Sequence, residues 1–101
     1  MFQVKYLPLA EKDLTEIIEY FINENSSGKV ANNFLDQLDQ SLNRLKCFPH
    51  SGCVYDSNFK LEHEYRMIRV KRYLVIYLIK DDLIEIQRII YEKRSVRDLL
   101  R

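Results

Sequence analysis

The spacing of apolar residues changes along this chain from a helical to a strand period, and that change narrows the possible folds. Up to residue 48, apolar side chains recur three and four residues apart in two segments, as in helices that bury one face. Three apolar runs follow, at about 64–71, 73–80 and 83–91, with the length and composition of β-strands. The alternating segment Phe2–Leu7 predicts one more strand before the helices. The order β-α-α-β-β-β predicts an α+β fold, in which a helical hairpin packs on a small, antiparallel-rich sheet.

The two predicted helices are joined by a short connection. The four residues Asn25–Gly28 break the helical pattern and supply N-cap candidates for the second helix. So short a connection implies that the two helices are antiparallel. Phe48–Pro49 ends the second helix, and residues 49–60 are predicted to be irregular.

A chain of 101 residues, 47% hydrophobic and with only 2 Gly and 2 Pro, is expected to form a single domain over residues 1–101 with its own core. The N-terminus lacks the basic and then apolar pattern of a secretory signal. The longest apolar run is far shorter than the ~20 residues of a membrane-spanning helix. We therefore expect a cytoplasmic protein with no membrane partner.

Charge is distributed unevenly along the chain. Residues 1–64 hold 6 Lys+Arg and 10 Asp+Glu, a net of −4, whereas residues 65–101 hold 10 Lys+Arg and 5 Asp+Glu, a net of +5. The strand block is thus the first place to look for a polyanion or an acidic partner. The alternative is that its basic residues are solvated and only blunt the edges of the sheet.

Strand alternation suggests how the basic block is arranged. Tyr73 and Tyr77 share one face of the central strand, and with nearby arginines they could form a concave surface that holds phosphates and stacks bases. Arg88 falls on the same side of the last strand as Ile86 and Ile90. A guanidinium among such apolar side chains needs a partner, an exposed edge or a ligand.

Little in the sequence suggests metal or nucleophile chemistry. Cys47, His50 and Cys53, with His63 further on, could ligate zinc, but their spacing matches no common zinc motif. Pro49 and Gly52 already explain this segment as a turn. We therefore expect no metal and no cofactor. The chain has no glycine-rich phosphate loop and no Ser-His-Asp or Cys-His arrangement that can be argued from two histidines.

A nuclease built on this chain would need its acid and base from other residue types. Tyr91 and Lys93 could donate protons if neighbouring cations lower their pKa. His63 is the only base of neutral pH near the sheet, and a lone histidine there is more often structural.

Several segments resemble the RelE/ParE superfamily of bacterial toxins. Val4–Tyr20 resembles its opening, in which an "A-x-x-D-L-x-x-I-x-x-Y" helix follows the first strand. Phe34–Leu38 and Leu45–Gly52 resemble its second helix and its "L-x-x-x-P-x-x-G" turn. The strand segments resemble its "Y-R-x-x-x-v…Y-x-v-x-Y…I-x-x-v-x-H-x-R-R-d" ending: Tyr65–Val70, Tyr73–Tyr77 and Ile89–Ser95. The similarity spans nearly the whole chain and keeps the order of every element.

The resemblance implies the toxin of a type II toxin–antitoxin pair. Such toxins are neutralised by a small cognate antitoxin, and the pair represses its own operon, so operator DNA is reached only through the antitoxin. Two mechanisms occur on this fold. RelE-like members cut messenger RNA on the ribosome without a metal, and ParE-like members inhibit DNA gyrase.

The resemblance favours the gyrase mechanism for this chain. Leu74 and Ile68 stand where RelE-like nucleases commonly carry basic residues, and a net charge of +1 is low for a protein that must bind ribosomal RNA. The messenger RNA endoribonuclease is the alternative, and its catalytic set would be Arg66, Tyr91, Lys93 and Arg94. An inactive or re-purposed module that binds only an antitoxin is a further alternative. The remaining candidates for binding the target or RNA are Arg69, Lys71, Arg72, Tyr73, Arg88 and Arg97.

Overall fold

The computed structural model describes residues 1–24, 28–54 and 63–93. The helices are α1 (Pro8–Glu24) and α2 (Lys29–Cys47), and a 3₁₀ turn follows at Pro49–Ser51. The strands are β1 (Gln3–Tyr6), β2 (Cys53–Val54), β3 (Arg66–Val70), β4 (Tyr73–Lys80) and β5 (Leu83–Tyr91). The predicted α+β class and the order of the long elements are confirmed. The 3₁₀ turn and the two-residue β2 are additions within the segment that was predicted to be irregular.

The five strands form one sheet in the order β1-β5-β4-β3-β2. Four of them pair antiparallel, but β1 lies parallel to β5, with Gln3 opposite Leu83 and Tyr6 opposite Ile86. Parallel neighbours need a crossover connection. In this fold the helical hairpin begins that crossover, which brings both helices onto one face of the sheet.

The main core lies between the helices and this face. Its largest fully buried side chains include Phe34, Leu38 and Leu45 from α2 and Tyr77 from β4. Burying one such side chain contributes about 1.5–3 kcal/mol. A smaller cluster occupies the other face, where Ile76 and Ile90 are buried and Leu74 packs against them.

Both long hairpins have two-residue turns that begin with a residue in the left-handed region. Lys71 has φ 57° and Asp81 has φ 55°. Gly28, at the start of α2, also has positive φ (73°), and it makes no side-chain cap. The other N-cap candidates of the connection, residues 25–27, lie outside the described residues. Neither α1 nor α2 combines the length and apolar composition that a membrane span requires, among the residues described.

Candidate functional site

The predicted basic surface is divided between the two faces of the sheet. Arg66 lies opposite Tyr77 in the register, and Tyr77 belongs to the core on the helix-covered side. Arg69 lies opposite Leu74, which packs on the other side. Lys71 and Arg72 belong to the β3–β4 turn. The two cations of β3 therefore lie on opposite faces of the sheet.

Arg66 holds the chain that follows α2. Its Nη1 donates to the carbonyl oxygens of His50 (3.1 Å) and Gly52 (3.0 Å), and its Nη2 donates to Glu64 (3.2 Å). The side chain is only 15% exposed. Both hydrogen bonds of Nη1 are thus directed at the protein's own turn, and that of Nη2 at Glu64.

Tyr77 completes this anchor from inside the core. Its hydroxyl donates to the carbonyl of Pro49 at 2.7 Å and accepts the backbone N–H of Gly52 at 3.1 Å. Burial raises the pKa of Tyr77 above its ordinary value, which keeps the hydroxyl protonated as a donor. Because Tyr77 is 0% exposed, the expectation that it lines an open surface is wrong.

Gly52 is required sterically at this turn. A Cβ on Gly52 would collide with the Tyr77 hydroxyl and lie 2.9 Å from the carbonyl oxygen of Met67. The "P-x-x-G" pattern therefore has a local physical explanation: the proline carbonyl and the glycine N–H both bind Tyr77, and only glycine fits beside it.

Arg88 has a partner, which is one of the three alternatives that the sequence left open for its guanidinium. Its Nε and Nη2 donate to the two carboxylate oxygens of Asp13 at 2.7 and 3.0 Å. These hydrogen bonds raise the pKa of Arg88, so the guanidinium stays charged. Target binding by Arg88 stays a prediction, and two of the three guanidinium nitrogens already bind Asp13. The sequence signal that could have identified this ion pair is Asp13, which lies one helical turn after the buried Ala10.

An aromatic groove lies between the adjoining ends of the two helices and the β3–β4 turn, and its volume is about 410 Å³. Its apolar wall consists of Tyr20, Phe21, Val30, Phe34, Tyr73 and Tyr91. Lys71 and Arg72 also line it. The ring of Tyr73 packs edge-on against those of Phe34 and Tyr91, with centroids 5.3 and 5.6 Å apart. Burial, followed by the neighbouring Tyr20 and Tyr91, raises the pKa of Tyr73.

Of the other predicted site residues, Arg69 and Arg72 are brought together by Glu92. Glu92 pairs with Arg69 and lies 3.7 Å from Arg72. Lys93 is exposed at the end of the described segment. Arg94 and Arg97 lie outside the described residues.

Arg66 and Tyr91 lie on different strands and at different positions along the sheet. Arg66 is opposite Tyr77, and Tyr91 is opposite Tyr73, on strands that flank β4 from its two sides. Four residues of strand separate these positions along β4, which is about 13 Å.

The histidines and cysteines form no metal centre in the described residues, where no group of three or more His, Cys, Asp or Glu side chains could hold an ion. Cys47 and Cys53 are both free and exposed. His50 and His63 line a smaller cavity of about 220 Å³, which Arg66 also borders.

Comparison with known proteins relates the chain to one protein family and to several solved structures. The family model described as the ParE toxin of the type II toxin–antitoxin system, parDE, matches residues 4–96. A solved structure of the chromosomal ParDE TA system from P. aeruginosa shares the fold, with a TM-score of 0.69 at 17% sequence identity. That likeness covers 90% of this chain and 96% of the other. No curated protein matches the sequence.

Proposed function

Because the chain belongs to the ParE toxin family of type II toxin–antitoxin systems, we propose that it stops bacterial growth by blocking DNA gyrase. The observation that carries this proposal is the separation of Arg66 from Tyr91. The two residues lie on opposite sides of β4 and are displaced along it, since Arg66 is opposite Tyr77 and Tyr91 is opposite Tyr73. These residues would have to converge on one phosphate if the protein cut RNA in the way that the superfamily's nucleases do.

The environment of Arg66 supports the same conclusion. A catalytic arginine must direct its donors at the charge that develops on the substrate. Arg66 instead binds two backbone carbonyls and Glu64. Releasing it would leave the turn at Pro49–Ser51 without one of its two anchors.

Ile68 and Leu74, which stand where RelE-like nucleases commonly carry basic residues, are packed against other apolar side chains. Ile68 packs against the core between the helices and the sheet. Leu74 packs with Ile76 and Ile90 on the other face. Neither position offers a cation to RNA, and with a net charge of +1 the chain has little of the phosphate-neutralising charge on which RNA affinity depends.

A cognate antitoxin is the expected partner, as in the ParDE system of P. aeruginosa that shares this fold. We infer that the antitoxin neutralises the toxin by binding it directly, and that any contact of the toxin with operator DNA is indirect. Induction without the antitoxin should arrest growth.

Two assays distinguish the mechanisms. Purified full-length toxin should lower DNA supercoiling by gyrase in a dose-dependent way, and primer extension on messenger RNA after induction should show no codon-phased cuts. Codon-phased cuts together with unaffected gyrase would contradict the proposal and make the protein a ribosome-dependent endoribonuclease. Normal growth on strong induction would instead indicate an inactive or re-purposed member.

A further inference from the structure

We propose that the aromatic groove is the surface through which the toxin binds its target enzyme. Its occupant is an acidic segment of that enzyme that inserts one large apolar side chain. The inference rests on the proposed function, since it names the contact surface by which an enzyme such as gyrase would be engaged.

The apolar wall of the groove continues onto the surface of the protein. Tyr20 is 57% exposed and Val30 is 38% exposed, and both line the cavity. Ile22, at 50% exposure, lies near the same end of α1. Large apolar side chains at a cavity mouth, with tyrosine and arginine beside them, have the composition of a protein-binding hot spot.

The cavity is large enough and sufficiently pre-formed to accept an anchor side chain. A volume of about 410 Å³ falls within the range of roughly 300–1,000 Å³ that is typical of ligand sites. Its floor is held by the packed rings of Phe34, Tyr73 and Tyr91. A site whose rings are already fixed loses little side-chain freedom on binding.

Ring geometry favours an inserted side chain over a stacked base. The planes of Tyr73 and Tyr91 meet at 72°, and those of Phe34 and Tyr73 at 68°. Such edge-on rings do not form the parallel walls between which a nucleobase is sandwiched. A branched or aromatic side chain of a protein fits this angular wall better.

The basic residues of the groove indicate that the partner segment is acidic. Lys71 and Arg72 line one side of the groove, and Arg72 is 71% exposed. Arg72 lies 3.7 Å from Glu92, whereas Lys71 has no ion pair in the described part of the chain. The partner's acidic residues should therefore lie next to its apolar anchor, towards the β3–β4 turn.

The test compares groove variants with matched variants far from the groove. The groove variants are Tyr20→Ala and Lys71→Glu, and the controls are Phe48→Ala and Lys12→Glu. Phe48 is an aromatic side chain of similar exposure (66%), but it follows the other end of the 19-residue α2, about 28 Å away along the helix. All variants are assayed as full-length protein for growth arrest without antitoxin, gyrase supercoiling and thermal unfolding.

Each groove variant should need at least about tenfold more toxin for half-inhibition of gyrase and should lose growth arrest, with an unchanged melting temperature. Both controls should behave as wild type, and Tyr20→Phe, which keeps the ring, should retain most of the inhibition. Groove variants that inhibit gyrase and growth as strongly as wild type overturn the inference, including the case in which they lose only antitoxin binding. If wild-type toxin arrests growth but leaves gyrase unaffected, the proposed function is wrong, and loss of growth arrest in the groove variants still identifies the groove as the target surface.

Discussion

The carboxylate of Asp13 binds both the guanidinium of Arg88 and the backbone N–H of Ile89, at 2.7 to 3.0 Å. This contact lies where β1 no longer covers the edge of β5, because their pairing ends at Ile86. One aspartate thereby neutralises a half-buried cation, satisfies an edge donor and joins α1 to the sheet.

Replacing Asp13 by Asn should destabilise the protein strongly. The two side chains are only 11% and 18% exposed, and removing one charge of such a pair leaves the other uncompensated, so we expect a loss of about 3 kcal/mol in the free energy of unfolding. Urea unfolding measures this loss. Glu19→Gln, an exposed substitution on the same helix, should change stability by less than about 0.5 kcal/mol. The Asp13→Asn/Arg88→Met double variant should be more stable than Asp13→Asn alone; equal stability would mean that the pair is not coupled.

Gly52→Ala should cost about 2 kcal/mol, because the new methyl group overlaps the Tyr77 hydroxyl and crowds the carbonyl of Met67. Adding Tyr77→Phe removes the overlapping atom. The double variant should therefore lose less than the sum of the two single variants, as measured by thermal unfolding. Strict additivity would show that Gly52 and Tyr77 do not interact.

Arg66→Ala should reduce stability rather than remove a chemical group. Loss of its hydrogen bonds to two carbonyls should lower the free energy of unfolding by about 2 kcal/mol. Lys93→Ala, at an exposed position, should leave both stability and toxicity unchanged. An Arg66→Ala protein that melts like wild type but is not toxic would instead assign Arg66 a role in the activity.

Tyr6 should make the fold sensitive to alkaline pH. Burial, and then the negative charge of Asp39, raise the pKa of Tyr6 from 10 to about 12. The unfolded chain loses this proton near pH 10 while the folded chain retains it, so the contribution to stability is complete below pH 10 and is lost as the pH rises towards 12. Tyr6→Phe should lose less stability across this window than wild type in denaturant titrations. Tyr20→Phe, at an exposed ring, is the control and should follow the wild-type curve.

The elements with strong hydrophobic periodicity were predicted correctly from the sequence. The short strand β2 and the parallel pairing of β1 were not. The strand Leu83–Tyr91 and the second helix follow from residue spacing alone. β2 was missed because two residues show no periodicity. The parallel pairing of β1 with β5 was also missed, since it depends on the path of the helical hairpin and not on any property of Gln3–Tyr6.

The candidate site was harder to predict because side-chain direction depends on partners far away in sequence. Strand alternation placed Tyr77 correctly beside Tyr73, but it could not tell which face the helices would cover. Arg66 was assigned by resemblance to the RelE-like nucleases, and its use as a structural donor depends on the carbonyls of His50 and Gly52. The aromatic groove combines residues from four separate elements and has no signature in any one segment.

The parallel pairing of the first strand with β5 also sets the order of events during synthesis. Gln3–Tyr6 leaves the ribosome early and has no partner until Leu83–Ile86 follows. At about 5–20 residues per second, that wait lasts on the order of 4–16 seconds. A nascent chain in this interval has neither its edge pair nor its Asp13–Arg88 contact, so a product that is cut short before Leu83 should be harmless to the cell that makes it.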